Sequence, residues 1–344
     1  MKKKWNLYVL FIACSAILML VAGCGDKSQD AVVKKIDQTL ADLDGYKAAA
    51  EMTMNTGKEE RSYQVDVWYK KDEEDFYRVG LAGEGEEEGD EGQVILKNKE
   101  GVFVLTPSLN KSFKFQTDWP GNNSQPYLYQ SLVNDVLSDK EATFSATDDH
   151  YVFATKTNYQ NNTQLPYQEV YFDKKTYAPI AVKVLDKDKN VLIEVAFEHL
   201  DMKPSFAKDD FNRDVILEET LAEASVSTVE EQKELAVTFP LETLGAELVE
   251  KEEVALEDGE RVIMTFKGER NFTFIQEKQN ALPTSAAVEE VQGELVQVGD
   301  TLGALSENTV EWTDSGVNYY LASDDMTMEE LLEVATTMDG KEAK

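Results

Sequence analysis

The chain has 344 residues, with 66 aspartates and glutamates against 34 lysines and arginines and a formal net charge of −32. A surface this acidic repels nucleic acid and anionic headgroups, which excludes partners held through phosphate; the acidity itself serves solubility. Two cysteines and two histidines leave no material for a disulfide framework or a cysteine–histidine metal site, so stability must come from core burial, and the length suffices for two domains.

The N-terminus opens with Lys2, Lys3 and Lys4, and Leu7 to Val21 carries no charge. That apolar run is shorter than the roughly 20 residues of a stable bilayer span, and it has the layout of an export signal. Its ending, Val21-Ala22-Gly23-Cys24, resembles a bacterial lipobox. The resemblance implies a signal peptide over 1–23, a diacylglyceryl thioether on Cys24, and a chain held on the extracytoplasmic face of the cell membrane by acyl chains rather than by a basic patch. Two chains give lasting attachment where one is marginal. Cys14 would leave with the signal, so no free thiol remains, and polar residues 24–28 read as a tether.

Val32 or Val33, Ile36, Leu40 and Leu43 recur at helical spacing, which predicts an amphipathic helix over 30–43 that Gly45 ends. The period then changes to two. In SYQVDVWYK, Tyr63, Val65, Val67 and Tyr69 share one face of a half-buried strand, and Gln64, Asp66 and Trp68 share the other. DFYRVGLAG is a second strand, VILKNKEGVFVL two strands about the turn Asn98–Gly101, and KSFKFQ another. The 82–92 stretch AGEGEEEGDEG reads as an acidic hairpin tip; it lacks the spaced Asp/Asn ligands of a calcium loop. QPYLYQSLVNDVLSD returns to helical spacing, with Leu128, Leu132, Val133 and Val136 on one face. HYVFATKT, QEVYFDKKTYAPIAVKVLD and NVLIEVAFEHLD resume the strands, with turns at 173–176 and 186–190. Short turns between neighbours predict one large antiparallel meander with helices on one face.

Residues 213–235 are acidic with few strong apolar positions and read as a linker, partly helical. Beyond it, residues 236–344 read as a small α+β domain. Glu257–Glu260 is a hairpin turn, Val262, Met264 and Phe266 alternate, ALPTSAAVEE is a loop, and further short strands turn about Gly299-Asp300 and Asp314–Gly316. A last helix starts at a Thr327–Glu330 capping box and buries Leu331, Leu332, Val334, Ala335 and Met338.

Over 29–212 the chain resembles the LolA superfamily. The likeness rests on Gly101, Phe103, Pro107, Leu109 and Phe113, and on the Pro179 strand, the Asp188–Asn190 turn, the Phe197 strand and Asp210-Phe211. It resembles more closely the lipid-anchored sporulation lipoproteins of spore-forming Gram-positive bacteria. A LolA-like part followed by a small α+β part also resembles the layout of the RseB/MucB regulators. The resemblance implies a curved, unclosed half-barrel covered by helices, with an apolar cavity on its concave side for lipid or lipoprotein acyl chains. Phe103, Phe113, Phe115, Leu132 and Val136 are the residues expected to line it. It equally implies an alternative in which the protein holds or activates an envelope or spore-cortex enzyme or a signalling protein, since clostridial relatives of this type assist a cortex-modifying amidase. A chain anchored at Cys24 cannot shuttle as the soluble carriers do.

No catalytic constellation is legible. His150 follows Asp148 and Asp149 at a strand start, His199 lies within a strand, and neither has metal-ligand spacing. Gly-x-Ser-x-Gly and phosphate-loop patterns are absent from the sequence. The expectation is a non-enzyme that needs neither cofactor nor metal.

Overall fold

A computed structural model describes residues 27–55, 60–83, 92–106, 111–121, 124–159, 165–224, 235–256, 259–279, 288–291, 293–298, 301–314 and 316–340. The expected signal peptide over 1–23, Cys24, Pro107, Leu109 and residues 84–91 of the expected acidic hairpin tip lie outside these.

The described residues are mostly β-sheet with few helices. Helix α1 (Gln29–Ala41) leads into β1 (Gly45–Asn55), followed by β2 (Glu60–Lys70), β3 (Phe76–Gly83), β4 (Gln93–Asn98), β5 (Gly101–Thr106) and β6 (Lys111–Phe115). Helix α2 (Tyr129–Ser138) crosses to β7 (Thr143–Ala146), β8 (His150–Lys156), β9 (Tyr167–Asp173), β10 (Pro179–Leu185) and β11 (Val191–Asp201). These strands pair in the order β6-β5-β4-β3-β2-β1-β11-β10-β9-β8-β7. The first and last strands, β6 and β7, lie at opposite ends, so the sheet is not closed into a barrel. Alternation places Tyr63, Val65, Val67 and Tyr69 in the core beneath α1 and α2, with Val32, Ile36, Leu132 and Val136 from the helices.

Three features depart from the sequence reading. Gly45 does not end the helix, whose C-cap is Asp42; it opens β1. A Cβ at Gly45 would meet Tyr69 O at 2.6 Å and Phe206 at 2.9 Å, so close backbone approach requires the glycine. Helical cover is not confined to one face. Residues 213–224, read as the start of a linker, form α3 (Arg213–Ala224), and its Ile216 and Leu217 bury with Phe211 against Val94, Leu96, Phe103 and Leu105 on the opposite face. The loop read over 281–290 gives way to a strand at Val288–Val291.

That strand belongs to the remaining elements: β12 (Phe239–Pro240), β13 (Ala246–Leu256), β14 (Gly259–Gly268), β15 (Phe272–Gln279), β16 (Val288–Val291), β17 (Glu294–Val298), β18 (Thr301–Leu305), β19 (Thr309–Asp314), β20 (Val317–Ala322), α4 (Met328–Ala335) and β21 (Met338–Gly340). Seven of these strands form a second sheet, ordered β13-β14-β15-β20-β19-β18-β17, and β12 pairs with β21. At the start of α4, Thr327 Oγ1 accepts from Glu330 N at 3.2 Å and Thr327 N donates to Glu330 Oε2 at 2.9 Å, the predicted capping box. Leu331, Leu332, Val334 and Ala335 pack against Phe274, Trp312 and Leu321; Met338 contributes from β21 rather than from the helix.

β16 leaves the second sheet and pairs in parallel with β6 of the first, Val288 opposite Ser112 and Val291 opposite Phe115. Val291, Leu295, Leu302 and Ala304 are thereby buried in the same core as Tyr63 and Leu132. Backbone pairing of this kind survives a break elsewhere in the chain. With a protease site engineered between 225 and 234, cleavage should leave two fragments that co-elute on size exclusion. Separate elution without denaturant would show that β16 does not hold the sheets together.

Candidate functional site

Cross-strand register decides where the expected cavity residues go. Val102 faces Phe115 and Val104 faces Phe113 across β5 and β6, so these four share the face toward α1 and α2. Phe103, one residue out of phase, is buried on the other face with Phe211 and Ile216. It does not line a concave cavity, because the side-chain period of two turns it away from Phe113. Leu132 and Val136 are buried in the core beneath α2, not at the cavity described next. Only Phe113 and Phe115 of the five line it.

This cavity, of about 320 Å³, lies between the β4–β6 end of the first sheet and one face of the second. Ile275, Glu277, Asn318 and Tyr320 share that second face by register, with Arg261 opposite Glu277. It is the side away from α4, whose partners Phe274 and Leu321 alternate with these residues. Leu302 and Ile275 give apolar wall beside Phe113 and Phe115. The polar groups are already engaged. Arg261 Nε donates to Glu277 Oε2 at 2.7 Å, and Lys111 Nζ donates to Asn318 Oδ1 at 2.7 Å. Gln93 Oε1 accepts from Thr301 Oγ1 and from Leu302 N, both at 2.9 Å, and so ties the first sheet to the second. The volume is at the small end of ligand pockets, roughly 300–1,000 Å³. Apolar walls with a charged rim suit one short apolar chain with a polar head.

Under α1 and α2 the core is filled by rings. Tyr46 lies 5.4 Å from Tyr69 and 6.2 Å from Tyr129, Tyr69 5.0 Å from Tyr77, and Tyr77 5.6 Å from Trp119. The buried hydroxyls have partners: Tyr46 donates to Gln130 Oε1 at 2.9 Å and Tyr129 to the Tyr177 carbonyl at 2.8 Å. Burial pushes both phenols well above the usual tyrosine range.

Sequence reasoning passed over Asp135, one turn from Leu132 on the buried side of α2. Its carboxylate accepts from Ser124 Oγ at 2.8 Å and Gln168 Nε2 at 2.6 Å, joining the loop before α2, the helix and β9. Burial pushes its pKa from 3.8 up to about 6, against the pull of those two hydrogen bonds. Of the histidines, His150 opens β8, its backbone N–H bonded to Thr147 Oγ1, and His199 is exposed on β11. Among the described residues no group of three or more His, Cys, Asp or Glu is placed to hold a metal ion, and no helix is long and apolar enough to cross a membrane.

The geometry defines a mostly β protein of two fastened sheets with an amphipathic cavity between them. A family model described as sporulation protein YdcC-like matches residues 3–211. Sporulation protein YdcC of Bacillus subtilis (strain 168) is 43% identical over 346 residues, covering 100% of both chains. The chain belongs to the sporulation protein YdcC-like family. Among solved structures, the Pseudomonas aeruginosa MucA/MucB complex aligns at 12% identity and a TM-score of 0.34, covering 90% of this chain and 99% of that one. A LolA superfamily protein from Nitrosomonas europaea aligns at 11% identity and a TM-score of 0.31, covering 55% and 100%.

Asp135 yields a signed pH dependence. Its folded pKa lies above its unfolded one, so the folded state holds the proton more tightly. The stability this contributes is full below about pH 4 and is lost as pH rises through about 6, a difference of about 3 kcal/mol at most. Asp135→Asn should therefore stabilise the protein at pH 7 by about 1–3 kcal/mol and flatten its stability profile between pH 4 and 7. Urea melts of both proteins across that range measure it; an Asn variant weaker at pH 7 would show that the carboxylate's hydrogen bonds outweigh its burial.

Proposed function

We propose that the protein is a non-catalytic binding lipoprotein of sporulation, anchored through Cys24 on the extracytoplasmic face of the membrane, and that its ligand site is the cavity between the two sheets. The observation that carries this is the lining itself: Phe113, Phe115, Ile275 and Leu302 beside the Arg261–Glu277 pair and Lys111. Such a lining takes a single apolar chain, an acyl chain or the tail of a small amphiphile, with its head toward the charged rim. A half-barrel of the LolA type is the architecture this reading assumes.

A second reading has its own support. The space under α1 and α2, where the resemblance places an acyl cavity, holds Tyr46, Tyr69, Tyr77, Tyr129 and Trp119. A filled interior favours a body that docks an envelope protein over one that engulfs lipid. Native mass spectrometry of the lipid-free soluble form separates the two. Retained lipid supports the cavity; a clean protein that captures one envelope protein supports docking.

Phe113→Asp tests the cavity directly. Phe113 is only half-buried, so its loss should cost less than the about 3–5 kcal/mol of removing a fully buried phenylalanine. Uptake of a fluorescent fatty acid should fall away while melting temperature moves little. Unchanged uptake would remove the cavity as the ligand site.

A further inference from the structure

Lys27 stands three residues beyond Cys24, and it is already part of the folded body. Its ammonium donates to the Tyr177 hydroxyl and lies 5.1 Å from the ring centre. Tyr177 is itself held: it is buried, its carbonyl accepts from Tyr129 Oη at 2.8 Å, and its ring stacks on Tyr151 at 6.1 Å. Two residues on, Gln29 Nε2 donates to the Ala142 carbonyl at 3.2 Å, and α1 then buries Val32 and Ile36. The tether read over 24–28 thus shrinks to residues 24–26. Three residues of extended chain span at most about 11 Å.

Strand register shows which part of the molecule this is. The turns at 147–149 and 174–178, the start of β1 and the 98–101 turn all lie at one end of the strands. Gln93 and Lys111, which meet the second sheet, lie at the other end. The exposed glutamates of β13, Glu247, Glu250, Glu252 and Glu253, belong to the second sheet.

From the docked Lys27 and the short chain to Cys24 we infer that the end of the first sheet formed by the 147–149 and 173–178 segments rests on the lipid surface, with the second sheet directed away from it. This rests on the proposed lipidation of Cys24. The partner is the bilayer headgroup layer, met at fixed orientation rather than at the end of a swinging tether. The charge distribution agrees: the β13 glutamates are carried away from anionic headgroups, whose repulsion fades only over about 8–10 Å at physiological salt. Lys174 and Lys175 lie on the membrane end, where Asp173 accepts from Lys175 N and Thr176 N; Asp148 and Asp149 lie there too.

The mature chain's only cysteine carries the proposed lipid, so single thiols can be placed cleanly. Lys175→Cys and Glu252→Cys, each exposed, are labelled with a fluorophore in the lipidated full chain and reconstituted into vesicles of phosphatidylcholine and phosphatidylglycerol containing a headgroup nitroxide lipid. Strong quenching at 175 and none at 252 is the expected result. An insertion of about 12 Gly/Ser residues after Asp26, which adds roughly 20 Å of reach, should abolish the difference. Equal quenching at both positions, with the protein still floating with the vesicles, overturns the orientation while leaving the anchor. Protein that does not float overturns the anchor and the orientation with it.

Discussion

Four residues, Val288–Val291, set how this molecule is assembled. By leaving the second sheet to run parallel to β6, they cover an edge that would otherwise present a row of unpaired amides and carbonyls. The same pairing brings Leu295, Leu302 and Ala304 into the core of the first sheet and closes one side of the cavity between the sheets. Gln93 and Lys111 then fix the approach with hydrogen bonds to Thr301, Leu302 and Asn318. Non-local pairing costs loop-closure entropy before it gives any return, and here the contact joins residues far apart in sequence. The first sheet and its helices must therefore form the surface onto which β16 settles.

The chain shows its structure unevenly. Where one side of a strand is core and the other solvent, as in Tyr63–Tyr69, alternation exposes the pattern, and the Thr327–Glu330 box marks a helix start by local chemistry alone. β1 carries Ala48, Ala49 and Ala50, residues that neither signal a strand nor resist one, and it sits between β2 and β11 where neighbours on both sides decide its state. β16 has four residues, too few for a period to show, and its partner is distant. Phe103 and Phe113 read alike as strand phenylalanines; only register places them on opposite faces. Asp135 was invisible for a different reason. A carboxylate on the buried side of a helix contradicts the pattern, and only the approach of Ser124 and Gln168 makes it tolerable.

The two candidate modes of action draw on different parts of the same body. The interior beneath α1 and α2 is filled with aromatic rings, and the Tyr46 and Tyr129 hydroxyls are committed to internal partners. The junction between the sheets keeps space, and its residues come from distant stretches of the chain: Phe113 from one sheet, Ile275 and Tyr320 from the other. A ligand there would touch both sheets at once, and its affinity would add to the stability of their junction by mass action.

β13 forms the outer edge of the second sheet, eleven residues long and exposed over most of its length. Such an edge is a template for pairing with another chain. Along it stand Glu247, Glu250, Glu252 and Glu253, so two copies brought edge to edge would set carboxylates against carboxylates. For copies held on one surface, as the proposed lipidation of Cys24 would hold them, encounters would happen in two dimensions and at high local density. The glutamate row would then act as a spacer that keeps neighbours from zipping into a continuous sheet, and a crowded layer of this protein would stay a layer of separate molecules.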